Sequence, residues 1–144
     1  FPREGNNWSH KHARRIWSLK DNPELRFMAL KDFDQDMITL IKRGSVLRYA
    51  PTQLYVSDSQ KVLIFGRGRF IFALNFSPVH SFTDFEFCAP SGEYRIALNT
   101  DAKNYDGFGR IDESVHHFTS RKDGGDKLSL YLPSRSAIVL EKIR

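Results

Sequence analysis

Val62-Leu63-Ile64-Phe65-Gly66-Arg67-Gly68-Arg69-Phe70-Ile71-Phe72-Ala73-Leu74-Asn75-Phe76 reads as two strands joined by a tight turn. Residues 62–65 and 70–76 are rich in β-branched and aromatic side chains, and the glycine-bearing segment between them supplies the backbone freedom a hairpin needs. Phe70 to Leu74 is also the longest apolar run in the chain. It falls far short of the roughly 20 residues needed to span a bilayer, so no membrane partner is expected.

Downstream of this hairpin the same pattern recurs. Glu93 to Asn99, Lys127 to Leu132 and Ala137 to Ile143 read as strands, with a weaker one at Phe85 to Phe87. Between them lie the breakers Ala89-Pro90-Ser91-Gly92, Asp106-Gly107-Phe108-Gly109, Asp123-Gly124-Gly125-Asp126 and Pro133-Ser134. Short strands punctuated in this way predict a mainly β fold, an antiparallel sandwich or barrel.

Upstream, the period changes near Gly44. Asn22 suits an N-cap, Pro23 the first helical position and Glu24 the positive end of the helix dipole. Leu25, Met28, Phe33, Met37, Leu40 and Ile41 then recur at helical spacing, which predicts an amphipathic helix over 23–43. Lys42 and Arg43 complement its last turn, and Gly44 is expected in the left-handed position beyond it. A shorter helix is expected around Ser9 to Leu19. An amphipathic stripe must be buried against something. The helical part therefore either packs on the β part or belongs to a larger neighbour, and the second is favoured.

The 144 residues fit one domain, or one domain with a fragment of another. With 40% hydrophobic and 27% charged residues, the composition is that of a globular protein and excludes a disordered or collagen-like chain. The chain starts Phe1-Pro2 without Met, which points to a piece of something longer. The single cysteine, Cys88, excludes an internal disulfide and suggests a reducing compartment, the cytoplasm. Its neighbour Phe87 suggests a buried small hydrophobe, not a nucleophile. The net charge of +5 is uneven: residues 1–50 carry ten Lys/Arg against six Asp/Glu, and the remainder twelve against eleven. The cluster His10-Lys11-His12-Ala13-Arg14-Arg15 reads as a solvated face, and no nucleic-acid partner is expected.

Catalytic chemistry finds little support in the residues alone. The five histidines (His10, His12, His80, His116, His117) lack zinc-ligand spacing and read as solvated or hydrogen-bonded surface groups. Gly66-Arg67-Gly68 has neither the third glycine nor the following helix of a phosphate loop. Asp32, Asp34 and Asp36 read as a polar helix face, and Asp101, Asp106 and Asp112 as turn residues. No carboxylate lies in a stretch apolar enough to raise its pKa for acid catalysis. No metal and no cofactor are expected. The segment Phe1-Pro2-Arg3-Glu4-Gly5-Asn6-Asn7-Trp8-Ser9 combines planar donors with an indole face, the groups sugar sites use. By composition it reads equally well as a capped loop between two elements.

That opening block, with Ala13-Arg14-Arg15, Trp17-Ser18-Leu19 and Asp34 to Met37, resembles the closing part of 1,4-α-glucan branching enzymes of the α-amylase superfamily. The likeness continues through Phe70 to Pro78, Pro90 to Ala102 and Pro133-Ser134-Arg135, and so covers nearly the whole chain. The resemblance implies an antiparallel β-sandwich of the amylase C-terminal type, preceded by one or two helices from the end of a (β/α)8 barrel. Residues 1–43 would be the end of that barrel and 44–144 the sandwich. It implies a parent enzyme that cleaves α-1,4 linkages and forms α-1,6 branches through a covalent intermediate with retention. The catalytic carboxylates would lie on earlier strands, so the segment itself is expected to be non-catalytic and to stabilise the barrel or orient α-glucan. Arg3, Glu4, Asn7 and Trp8 match family positions and are the candidates for lining the glucan groove. A stand-alone carbohydrate-binding module is the alternative. One departure concerns a stretch usually similar to Tyr-Gly-Gly-His-x-Arg, which here is Tyr105-Asp106-Gly107-Phe108-Gly109-Arg110.

Overall fold

The computed structural model describes residues 3–11 and 17–144. Its centre is the expected hairpin, β2 (Val62–Arg67) and β3 (Phe70–Asn75). Arg67 pairs with Phe70, leaving Gly68-Arg69 as a two-residue turn with Gly68 at φ 63°. A positive φ at the first turn position matches the twist of the flanking strands. Seven further strands complete the fold: β1 (Thr52–Ser57), β4 (Phe82–Cys88), β5 (Glu93–Asn99), β6 (His116–Phe118), β7 (Ser120–Lys122), β8 (Gly125–Leu132) and β9 (Ser136–Lys142). A six-stranded sheet in the order β1-β2-β3-β9-β5-β6 faces a three-stranded sheet in the order β4-β8-β7, with every pairing antiparallel.

The two sheets enclose the main core. Val62, Ile64, Ile71, Ala73, Ile138 and Leu140 from the large sheet meet Phe85, Phe87, Leu128, Leu130 and Leu132 from the small one. The opposite face of the large sheet is also covered, by helix α1 (Phe27–Arg43). Leu40 joins Val46, Phe70, Leu98 and Val139 there, with Phe33, Met37 and Ile41 packed around them. The molecule thus has three layers, and β3 and β9 are buried on both faces. That explains why these two strands read as unbroken apolar runs instead of alternating ones.

Several local readings are corrected. Helix α1 starts at Phe27, four residues later than expected, because the Asn22 side chain accepts from Glu24 N–H and Leu25 N–H donates to Asn22 O. These bonds make a separate turn ahead of the helix. The expected Ser9–Leu19 helix falls partly outside the described residues; a 3₁₀ turn, Trp17–Asp21, is seen where it would end. Gly44 is not left-handed (φ −84°), and Ser45 takes that conformation at φ 49°. Gly44 is required for room instead: a Cβ there would lie 2.3 Å from the ring of buried Phe70. Cys88 is exposed, since alternation along β4 turns Phe85 and Phe87 inward and Glu86 and Cys88 outward.

The apolar stripe of α1 divides along its length. Its C-terminal half packs on the sheet through buried Leu40 and partly buried Phe33, Met37 and Ile41, whereas Phe27, Met28 and Leu30 remain exposed.

The helix end is locked by a buried carboxylate. Glu141 of β9 is 4% exposed and receives Arg69 Nη2 at 2.8 Å, Arg95 Nη2 at 2.8 Å and Arg43 Nη2 at 3.2 Å. Burial alone would raise its pKa. The hydrogen bonds from Arg95 and the charges of Arg43, Arg69 and Arg95 outweigh that and hold it below the usual carboxylate range. The sequence reading that no carboxylate has a setting that raises its pKa for acid catalysis agrees with Glu141, which is buried yet has its pKa moved down, not up. A carboxyl lowered by folding stabilises the native state above its unfolded pKa of about 4.3, and that stabilisation is lost as pH falls through the folded value. Glu141→Gln is expected to lower stability by about 1–3 kcal/mol at neutral pH, since the three arginines can still reach water. Urea unfolding from pH 7 to 3 should show the difference between the two proteins narrowing progressively as pH falls below the unfolded value of about 4.3.

Candidate functional site

The residues singled out from the sequence lie in a tightly turned loop. Asn6 N–H donates to Arg3 O, Asn7 N–H to Glu4 O, Trp8 N–H to Arg3 O and Ser9 N–H to Asn6 O. The Asn6 side chain accepts from Arg3 N–H at 2.8 Å. Asn7 (φ 54°) and Trp8 (φ 57°) are both left-handed, a conformation that costs a bulky residue free energy and persists only where surrounding bonds impose it. The loop leaves the side chains of Arg3, Glu4, Asn7 and Trp8 in solvent, with the indole two-thirds exposed. The structure therefore brings the four together on one short loop. The basic cluster from His10 lies largely outside the described residues, His12 to Arg15 among them.

A second loop, which sequence reasoning missed as a unit, runs from Asp101 to Arg110. Its ends meet: Gly109 N–H donates to Asp101 O at 2.7 Å and Gly107 N–H to Ala102 O at 3.0 Å. Asp101 is buried, and its carboxylate takes Arg110 Nη2 at 2.7 Å, Arg110 Nε at 3.1 Å and the Arg110 backbone N–H at 2.8 Å. Burial would raise its pKa, but the bonds and charge of Arg110 hold it low. Gly107 passes so close that a Cβ would sit 2.2 Å from the Asp101 backbone. Tyr105 ties the loop to α1, donating to Asp36 Oδ2 at 2.5 Å and meeting Phe33 edge-on. Burial, with the Asp36 carboxylate beside it, pushes the Tyr105 hydroxyl up to about 12. Asp101 thus exceeds the turn role read from sequence, because its partner lies nine residues away and appears only when the loop closes.

This loop borders two separate cavities: one of about 360 Å³ against α1, lined by Leu30, Phe33 and Tyr105, and a groove of about 550 Å³ lined by Pro78, Thr100, Phe108, Arg110, Ser134 and Arg135. The opposite wall is the corner between β8 and β9. It is pinned to the loop after β3 by Arg135 N–H to Ser77 O, Arg135 Nε to Pro78 O, and Asn75 Nδ2 to both Leu132 O and His80 O.

The histidines are scattered. His116 Nδ1 pairs with Glu93 Oε1 at 2.6 Å. His117 is half-buried, not a surface group: its Nε2 is buried without a protein partner among the described residues, and burial lowers its pKa. Among the described residues no three His, Cys, Asp or Glu side chains are grouped to hold a metal ion, and no helix is long and apolar enough to cross a membrane.

Comparison with known proteins places this architecture. The pattern of the alpha amylase C-terminal all-β domain matches residues 55–143. The chain belongs to that family. The amylase-type domain thus takes in all of β2 to β9 and half of β1, and the Asp101–Arg110 loop lies inside it. Among similar proteins are 1,4-alpha-glucan-branching enzymes: one from Dictyostelium discoideum, 38% identical over 99% of this chain and 22% of its own length; one from Solanum tuberosum, 41% identical over 83% of this chain and 14% of its own. A third, from Saccharomyces cerevisiae, is 37% identical over 97% of this chain. The chain spans about a fifth of the length of such relatives. Among solved structures, CldA, a cyclomaltodextrin glucanotransferase with a three-domain ABC distribution, covers the whole chain with a TM-score of 0.55 at 18% identity, a likeness of fold.

Within the amylase-type domain the Asp101–Arg110 pair is the closure that can be tested directly. Asp101→Asn, which keeps the shape and removes the charge, is expected to cost about 3 kcal/mol of stability, because the guanidinium is left beside a buried neutral amide. Thermal unfolding followed by circular dichroism measures it, and Asp112→Asn, in an exposed turn, should shift the midpoint far less.

Proposed function

We propose that the chain is the C-terminal segment of a 1,4-α-glucan branching enzyme. Residues 1–43 end its catalytic (β/α)8 barrel, and residues 44–144 are the all-β domain that follows. The observation that carries this reading is that likeness to branching enzymes extends over 97–99% of the chain, and so includes the opening loop and α1 ahead of the amylase-type domain. The divided stripe of α1 supports it. One half faces the sheet, and the exposed Phe27, Met28 and Leu30 suit contact with the preceding barrel.

On this reading the parent cleaves an α-1,4 linkage, holds the glucan as a covalent glycosyl intermediate and transfers it to a 6-hydroxyl with retention. The two buried carboxylates here are poorly suited to that chemistry. Asp101 and Glu141 are both held ionised by arginines that occupy their oxygens, and so neither is an acid near neutral pH. The segment's own part is to wall the barrel and to present the opening loop. There Arg3, Asn7 and Glu4 offer hydrogen bonds to sugar hydroxyls, and the exposed indole of Trp8 offers a stacking face. The strained, left-handed Asn7-Trp8 pair supports a role beyond simple connection. The proposed location is the cytoplasm, supported by the lone unpaired cysteine.

Incubated with amylose, the 144-residue chain is expected to leave iodine absorbance unchanged and to create no α-1,6 linkages. In the longer protein, Trp8→Ala should lower branching about tenfold without a comparable loss of thermal stability. Branching by the isolated chain would overturn the assignment of catalysis to the preceding barrel.

A further inference from the structure

Phe108 is 80% exposed, more than any other large apolar side chain among the described residues. Exposed apolar residues are common singly, but this one stands on an unusually fixed support. Its loop is closed at both ends by Asp101 and Arg110. Gly107 is held against the Asp101 backbone, and Gly109 adopts φ 66° on the other side of the ring. The Arg110 guanidinium lies over the ring, 5.1 Å from its centroid, while its Nη2 donates to Ser134 O at 3.0 Å. A phenyl group presented on such a support gains nothing for the core and loses little entropy if something binds to it.

The surroundings specify what that would be. Thr100 and Ser134 line the groove with hydroxyls that accept from Ala137 N–H and Arg110 Nη1 and can still donate, and Arg135 uses only Nε within the protein, so its two Nη groups have no protein partner among the described residues. A flat apolar ring beside free guanidinium donors and hydroxyls matches a sugar, whose C–H faces stack and whose hydroxyls need planar donors and acceptors. The groove volume of about 550 Å³ is in the range of ligand sites.

We infer that the Phe108–Arg135 groove is a non-catalytic binding site for linear α-1,4-glucan, carried by the all-β domain itself and separate from the opening loop. The choice of α-glucan rests on the branching-enzyme reading above; the stacking site rests on the geometry of the groove.

The test is affinity electrophoresis of the 144-residue chain in gels containing amylopectin, with maltoheptaose as soluble competitor. The chain is expected to be retarded and released by competitor. Phe108→Ala and Arg135→Ala should each raise the apparent dissociation constant about fivefold or more, while Val56→Ala, exposed on β1, should leave it unchanged. The unfolding midpoint of Phe108→Ala should match that of the parent chain, which separates lost binding from lost folding. Absence of retardation, or retardation unaffected by both groove substitutions, overturns the inference and leaves the branching-enzyme reading standing. A fall of several degrees in the unfolding midpoint of the longer protein on Phe108→Ala would assign the ring to contact with the barrel and overturn it as well. Loss of the branching-enzyme reading itself would be signalled separately, by absence of branching in the longer protein.

Discussion

Glu141 sits where the layers of this molecule meet. It lies on β9, between β3 and β5, with Phe70 and Arg95 as its direct cross-strand partners. Three arginines from three elements converge on its two oxygens: the end of α1, the β2–β3 turn and β5. A carboxylate so deep could not remain charged alone, and three guanidinium groups so close would repel one another without it. The cluster therefore couples the placement of the helix, the hairpin and the central strands, and an error in any one leaves charge uncompensated. Packing beside it is equally strict, since the helix end can approach Phe70 only because residue 44 has no side chain.

The Asp101–Arg110 pair repeats this logic on a smaller scale with a different result. At Glu141 the charges join elements of the core; at Asp101 they close a surface loop on itself and leave its tip facing outward. Backbone contacts at Gly107 and Gly109, and the bond from Tyr105 to α1, remove the freedom a ten-residue loop would otherwise retain. The same scaffold positions the β8–β9 corner, through Asn75 and Arg135, as the facing wall. Both walls are thus referred to the sandwich core and not to one another's flexibility.

What could be read in advance followed from how each signal is encoded. β2, β3, β5, β8 and β9 carry their burial in contiguous apolar residues, and their expected ranges agree with the structure within two residues at either end. β6 and β7 are three residues each and mostly polar, so nothing local distinguishes them from turns; β1, with an irregular register beside Leu54, also escaped notice. The helix starts later than its cap residues suggest because Asn22 and Pro23 serve a turn as readily as a cap. Cys88 departs from its expected burial because adjacency to Phe87 says nothing about which face of a strand a residue occupies. Glu141 and its arginines are separated by 46 to 98 residues in the two cases that bond to Oε2, a distance over which sequence pattern carries no pairing information. At the opening loop the residue types were legible but the left-handed Asn7-Trp8 backbone was not, since neither residue type favours that conformation enough to announce it.

The position of β9 has a consequence for synthesis. It is the last in chain order of the nine strands among the described residues, yet it lies in the interior of the large sheet, bonded to β3 on one side and β5 on the other. Until it leaves the ribosome, the β1-β2-β3 meander and β5 cannot join. The apolar edge of β3 stays unpaired, and Arg43, Arg69 and Arg95 have no carboxylate to gather around. Closure of the domain is thus delayed until after nearly all of it has been made. A ribosome that stops early, before β9, releases two open half-sheets with sticky edges, a substrate for chaperones and proteases more than a slightly shortened domain.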